Sequence, residues 1–209
     1  MERFLEQAAE DNIRVANCTT AAQYYFLLRR QAASLGADAR PLVVMTPKSL
    51  LRHPLAAARA NDLVDGQFEP LLDDARAAAH RARVRRVVLC SGHIWTAVEG
   101  DEHRAEANDV AVVRVEELYP FPSEALSELL DSYRNADEVI WLQEEPQNMG
   151  AWTFVERRLR EVLEAGARTL RYVGRPERAS PAEGWAEAHA AEQHRIVSEV
   201  FEGVPAHAR

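Results

Sequence analysis

Short apolar runs separated by amphipathic stretches recur from residue 84 to the end of the chain. Four of the runs, Arg86–Ser91, Val110–Val115, Glu138–Gln143 and Thr169–Val173, are rich in Val, Ile and Leu. They read as strands buried on both faces. The stretches between them change to helical period. Ser123 is placed to cap a helix carrying Leu126, Leu129, Leu130 and Tyr133 at i, i+3, i+4 and i+7. Trp152, Val155, Leu159, Val162 and Leu163 form the next stripe, ended by Gly166. A last helix spans about Trp185 to Phe201, with Ile196, Val197 and Val200 inward. This alternation predicts an α/β fold, a three-layer α/β/α arrangement around a mainly parallel sheet.

The opening residues form a smaller pattern. Ile13–Ala16 and Leu42–Met45 read as strands flanking a helix over 20–35. Thr20-Ala21-Ala22-Gln23 has the capping-box spacing, and Tyr24, Leu27, Leu28 and Leu35 share one helical face before Gly36. One helix and two strands bury too little to stand alone, so residues 1–55 read as the tail of a second α/β domain. Residues 56–83 are Ala-rich, charged and poor in bulky apolar side chains. They read as a linker with some helix, pinned through Gly66-Gln67-Phe68, and residues 84–209 as the main domain.

Composition narrows the function. The net charge is −8, which argues against general nucleic-acid binding. No run approaches the ~20 apolar residues of a membrane helix, and the charged start Met1-Glu2-Arg3 lacks a signal-peptide core. Cys18 and Cys90, too few for a disulfide framework or a zinc site, read as buried thiols in a reducing compartment. A cytoplasmic protein without membrane contact is expected. Lys48 is the single lysine against 24 arginines. Chance explains that survival better than a need for a compact ammonium.

Familiar catalytic patterns are missing: no Gly-x-Gly-x-x-Gly follows the strand at 86–91, and there is no Walker loop, Gly-x-Ser-x-Gly elbow or His-Glu-x-x-His. Three loops carry the remaining chemistry. Pro47-Lys48-Ser49-Leu50-Leu51-Arg52-His53-Pro54 offers cations and a hydroxyl to an anion, with Lys48, Ser49 and Arg52 in the loop and Arg29 and Arg30 on the preceding helix. A solvated linker is the alternative. Gln143-Glu144-Glu145-Pro146-Gln147-Asn148-Met149-Gly150 leaves a strand end, where open α/β sheets collect ligands. Its paired carboxylates suit acid–base work, but a structural or interface role is expected. Gly174-Arg175-Pro176-Glu177-Arg178 either clamps an anion, meets Glu144 and Glu145, or packs at an interface with them and Asn148.

These segments, with Arg40-Pro41-Leu42-Val43-Val44-Met45-Thr46 and Leu118-Tyr119-Pro120-Phe121-Pro122, carry a resemblance. In that order the chain resembles the carboxy-terminal region of the thiamine-diphosphate-dependent first component of 2-oxoglutarate dehydrogenase, from about Glu2 to Phe201. The stretch 56–83 matches weakly, and His93 stands where the family usually has lysine.

The resemblance implies a role in oxidative decarboxylation of 2-oxoglutarate in the tricarboxylic acid cycle. It implies that residues 1–55 end a pyrimidine-binding-type domain and that residues 84–209 form a transketolase-like carboxy-terminal domain. The family's Gly-Asp-Gly magnesium motif, its cofactor-activating glutamate and its active-site histidine have no counterpart in this sequence. The expectation is therefore a structural, dimer-forming part with no catalytic, cofactor-binding or metal residues of its own. Thiamine diphosphate and Mg would act only in the complete enzyme. Implied partners are the upstream domains or a split-gene subunit, a second copy, and the lipoyl acyltransferase of the complex. A different class remains open: a stand-alone module binding a nucleotide or acyl-coenzyme A effector.

Overall fold

Val, Ile and Leu at successive positions suit strands covered on both sides, and the two faces of the larger sheet are covered by different helices. The computed structural model describes residues 1–36, 38–164 and 166–204. In chain order the elements are α1 (Glu2–Glu6), β1 (Arg14–Ala16), α2 (Ala21–Ala33), β2 (Leu42–Val44), β3 (Leu71–Leu72), β4 (Arg86–Cys90) and α3 (Ile94–Glu99). They continue with β5 (Val110–Val115), β6 (Glu117–Tyr119), α4 (Ser123–Ser132), β7 (Glu138–Pro146), α5 (Trp152–Leu163), β8 (Thr169–Arg175) and α6 (Ala186–Phe201). The chain is a mixed α/β protein with two sheets. One has five strands in the order β3-β5-β4-β7-β8, and the other three in the order β2-β1-β6. Strands β5, β4, β7 and β8 are parallel, whereas β3 lies antiparallel on β5. In the small sheet β1 is parallel to β2 and antiparallel to β6.

Alternation along each strand sorts the core. Val87, Leu89, Val113, Val139 and Trp141 face one way, onto Leu126 and Leu130 of α4 and Val155, Leu159 and Leu163 of α5. Val88, Cys90, Val112, Ile140 and Leu142 face the other way, onto Ile94 and Val98 of α3 and Ile196, Val197 and Val200 of α6. Arg86 is 1% exposed and donates to the carbonyls of Val200 (2.7 Å), Glu202 (2.7 Å) and Gly203 (3.0 Å). Its charge meets Glu138, so it closes the carboxy end of α6 as a cation should.

Several local expectations need correction. Helix α2 turns Gln23, Phe26 and Leu27 inward and leaves Tyr24 and Leu28 exposed, and it ends at Ala33, before the exposed Leu35. The reason is polar as much as apolar. The Gln23 carboxamide donates to the Glu69 carbonyl (2.7 Å) and accepts the Glu69 amide hydrogen (3.2 Å). Thr20 does cap α2 by accepting from the Gln23 amide (3.3 Å), but with the Gln23 side chain spent on Glu69 the capping box is one-sided. Pro122, not Ser123, holds the cap position of α4.

The stretch 56–83 is also more than a low-core tether. Ala56, Phe68, Asp74 and Ala77 are buried, and Leu71–Leu72 forms the edge strand β3. Phe68 lies under the Arg30 guanidinium, 4.3 Å from its ring centre. Asp74 accepts from Arg104 (2.6 Å) and from the Val112, Arg76 and Ala77 amides. A carboxylate with that many donors anchors the segment to β5 without bulky apolar residues.

Candidate functional site

A cleft of about 440 Å³ opens at the carboxyl ends of β1 and β2. Its walls come from the turn Cys18–Thr20, the start of α2 at Ala21 and Tyr24, and the loop Met45–Ala57. Such a position follows from the β-α-β crossover, which leaves a crevice at strand ends. Tyr24, Met45, Leu50, Leu51, Pro47 and Pro54 make the lining mainly apolar. Thr46, His53 and Arg52 supply the polar points, whereas Thr19 is fully buried with its hydroxyl between Glu116 and Arg114.

The anion candidates separate here. Residues Lys48–Arg52 form a short 3-10 helix with no buried member. Arg52 reaches the cleft wall, while Lys48 and Ser49 are exposed and lie outside it. Arg29 is exposed on α2 and is not part of the lining. Arg30 is committed elsewhere, with both guanidinium nitrogens on the Glu117 carboxylate. Geometry thus brings one of the five candidates to the cleft.

Behind the cleft lies a buried carboxyl that sequence patterns did not single out. Glu116 is fully buried at the residue joining β5 of the large sheet to β6 of the small one. Its carboxylate accepts the Thr19 amide hydrogen at 2.8 Å and the Thr19 hydroxyl hydrogen. Burial pushes its pKa up to about 7, against the lowering pull of the two Thr19 bonds and the Arg114 charge. The same turn carries Cys18, whose thiol is pushed far up by burial, and Cys90 on β4 is pushed up to about 12. Both cysteines are free and buried, so neither has the character of a nucleophile.

The second region is the carboxyl edge of the large sheet. The Gln143 carboxamide oxygen accepts from the amides of Ala151 (3.3 Å) and Trp152 (3.0 Å) and from the Trp141 indole (3.0 Å). Its nitrogen donates to the Met149 (2.9 Å) and Pro146 (3.1 Å) carbonyls. One side chain thereby folds the loop after β7 and caps α5. Glu144 turns to His93, Oε2 to Nδ1 at 3.1 Å, and to Gln193 at 3.4 Å. Burial pushes the Glu144 carboxyl up, but the His93 bond and charge, the Gln193 bond and Arg175 outweigh it and leave it lowered. The bond to Glu144 raises His93. Burial raises Glu145. The two carboxyls thus differ in environment and shift in opposite directions.

The arginine loop does not meet these carboxylates as an ion pair. Arg175, 3% exposed, pairs with Glu183 at 3.0 Å and lies 2.9 Å from His189 Nδ1. Arg178 and Asn148 exchange backbone and side-chain hydrogen bonds at 3.0 Å each way, tying the loops after β7 and β8 together. Glu144, Asn148, Arg175 and Arg178 therefore all have partners within the chain. Among the described residues, no group of three or more His, Cys, Asp or Glu is placed to hold a metal. Among the same residues, no helix is long and apolar enough to cross a membrane.

The family described as 2-oxoglutarate dehydrogenase C-terminal matches residues 57–201. The 2-oxoglutarate dehydrogenase E1 component of Shouchella clausii (strain KSM-K16) is 49% identical over 205 residues, covering 95% of this chain and 21% of that protein. The protein of the same description from Geobacillus kaustophilus (strain HTA426) is 49% identical over 199 residues, 94% of this chain and 21% of its own length. That of Bacillus cereus (strain AH820) is 46% identical over 206 residues, 96% and 22%. The chain spans about a fifth of the length of these relatives. With the match running across β3 to α6, the chain belongs to the 2-oxoglutarate dehydrogenase C-terminal family.

Proposed function

We propose that this chain is the carboxy-terminal part of a 2-oxoglutarate dehydrogenase first component, with a structural and dimer-forming role and no turnover of its own. The observation that carries the reading is the match itself, 49% identity over 95% of this chain but 21% of the relative. The surface supports it. Strand β2 is an edge of a partly parallel three-stranded sheet, and Tyr24, Tyr25 and Leu28 on α2, Leu35 after it and Leu51 on the turn after β2 are exposed. Parallel sheets are normally covered, and apolar patches of this kind mark contacts. Residues 1–55 then complete a pyrimidine-binding-type domain supplied elsewhere. Residues 84–209 form a transketolase-like carboxy-terminal domain in three α/β/α layers, with 56–83 joining the two.

In the complete enzyme, thiamine diphosphate with magnesium supplies a carbanion-stabilising centre for decarboxylation. The residues present do not fit that group. The cleft walls offer no carboxylate, the ligand type magnesium takes. This chain's own contribution is the shape and rigidity of the neighbouring surface. The lipoyl acyltransferase of the complex is the partner downstream, and the cytoplasm the compartment.

Co-expression with the remaining four-fifths of a relative's sequence tests the reading. Carbon dioxide release from 2-oxoglutarate is expected from the co-expressed pair and from neither part alone. Turnover by this chain alone, or a pair that neither associates nor turns over, overturns it. A competing effector reading, a nucleotide or acyl-coenzyme A at Arg52 and Lys48, predicts heat of binding lost in Arg52→Ala.

A further inference from the structure

The cleft at the ends of β1 and β2 divides its chemistry between two walls. Its polar points, Thr46, Arg52 and His53, all come from the loop 45–57, and every one of them can donate a hydrogen. Arg30 of α2 is spent on Glu117, whereas Arg52 has no carboxylate partner among the described residues. His53 Nδ1 accepts the Leu55 amide hydrogen at 3.3 Å, which leaves the ring hydrogen on Nε2. Thr46, an exposed residue, adds a hydroxyl. No acid lines the cleft, and Glu116 behind it keeps its carboxylate on Thr19.

The rest of the lining is apolar. Tyr24 and Leu51 line the cleft and yet are 42% and 83% exposed. Large apolar side chains in that position gain cover when an apolar body enters beside them. The volume, about 440 Å³, lies in the range of small-molecule sites, roughly 300–1,000 Å³.

We propose that this cleft binds a small amphipathic monocarboxylate. Its carboxylate is held by Arg52 and His53, and its aromatic or branched aliphatic body lies against the Tyr24 and Leu50 walls. A guanidinium presents two parallel donors that match a carboxylate, and one cation balances one negative charge. A dicarboxylate sets its second charge against apolar walls, where an unpaired charge is costly. A nucleotide sets its ribose hydroxyls there with the same defect. Lys48 is exposed outside the cleft and takes no part. The inference rests on this geometry and stands whether or not the proposed enzyme role holds.

The test is amide NMR and calorimetric titration of the full 209-residue chain with phenylbutyrate, its neutral amide, glutarate and adenosine monophosphate. Phenylbutyrate is expected to bind, with shifts gathered at residues 20–24 and 46–57. Its amide should bind about tenfold more weakly, because it loses the charge-assisted bonds. Arg52 is exposed, so Arg52→Gln leaves the fold intact. In that variant the acid should fall to the affinity of the amide, and the amide should be unaffected. Leu51→Ser, also at an exposed position, should weaken acid and amide alike. No binding of phenylbutyrate, shifts centred elsewhere, or equal affinity for acid and amide overturns the proposal. So does an Arg52→Gln variant that binds the acid as before. Tighter binding of glutarate or adenosine monophosphate overturns the assigned ligand class.

Discussion

The carboxamide oxygen of Gln143 accepts the Trp152 amide hydrogen at 3.0 Å, so the residue that ends the unbroken buried run of β7 caps the helix that begins nine positions later. The same oxygen also serves Ala151 and the Trp141 indole. Gln143→Leu, similar in size, leaves those donors and the Met149 carbonyl without partners. Each buried unsatisfied group costs about 1–3 kcal/mol. A fall of at least ~2 kcal/mol in urea-derived stability is expected, with Gln143→Glu losing less because it keeps the acceptor. Equal losses in both variants would mean that the cap is not what matters.

Asp74 holds the edge strand through Arg104, and both side chains are 3% exposed. Removing one partner of such a pair typically costs about 3–5 kcal/mol. Trypsin should cut the unmodified chain first after Arg59, which is exposed, ahead of Arg76 and Arg81, whose guanidinium groups are held by the Ala105 carbonyl and by Asp73 and Ser132. Asp74→Ala is expected to bring Arg76 and Arg81 to similar cleavage rates. Mass spectrometry of early digests reads this directly, and an unchanged order would show that the anchor is dispensable.

Part of this architecture was legible in the sequence. Strands β4, β5, β7 and β8 announce themselves because burial on both faces demands unbroken apolar runs. Strand β3 is two residues followed by Asp73-Asp74, and its order comes from a buried carboxylate that periodicity ignores. Strand β6 opens with Glu117 behind Glu116, and two acids read as surface until Thr19 and Arg30 are seen to meet them. The same limit explains the site. Lys48 and Ser49 drew notice as chemistry on a stiff loop, yet residue type does not report direction, and both face solvent. Gln143 stands out in the sequence only as the first residue of its loop, and its capping role is invisible there because its partners are largely backbone groups, which carry no sequence signature.

Glu116 also makes global stability pH-dependent. Its folded-state pKa is raised from 4.5 to about 7, so the folded state holds the proton more tightly than the unfolded one. The contribution is full below about pH 4.5 and is lost as pH rises toward 7. Subtracting the urea-derived stability of Glu116→Gln from that of the unmodified chain should give a difference that declines across this window. A flat difference would mean that Glu116 titrates alike in both states.

Arg86 predicts where the chain frays. Its guanidinium supplies the carbonyls that end α6, and Arg86→Met keeps the stem but removes every donor. Glu138 retains Arg171 at 2.7 Å, so the carboxylate is not orphaned. The loss should therefore be local. Amide hydrogen exchange over Ser198–Phe201 should quicken at least tenfold while Val87–Leu89 stays protected. Uniform acceleration would instead indicate a global role.

His93 takes the place of the lysine that the family resemblance leads one to expect, and its bond to Glu144 joins the loop after β4 to the end of β7. That bond raises the histidine pKa above 6.5, while Glu144 is held below 4.5. The histidine's contribution is present below pH 6.5 and is lost as pH rises through its raised value. The carboxylate's contribution is present above 4.5 and is lost on acidification. The pair therefore stabilises most between these limits. Side chains 28% and 32% exposed leave it partly screened by water, so the effect is modest and should shrink in salt. A lysine keeps its charge to about pH 10. His93→Lys should accordingly hold its stability between pH 6.5 and 8.5, where the unmodified chain loses some. Parallel urea titrations at pH 5.5 and 8.5 decide it. If the lysine variant loses as much as the histidine protein does, the Glu144 contact is not electrostatic in origin, and the raised histidine contributes nothing to holding the two loops together.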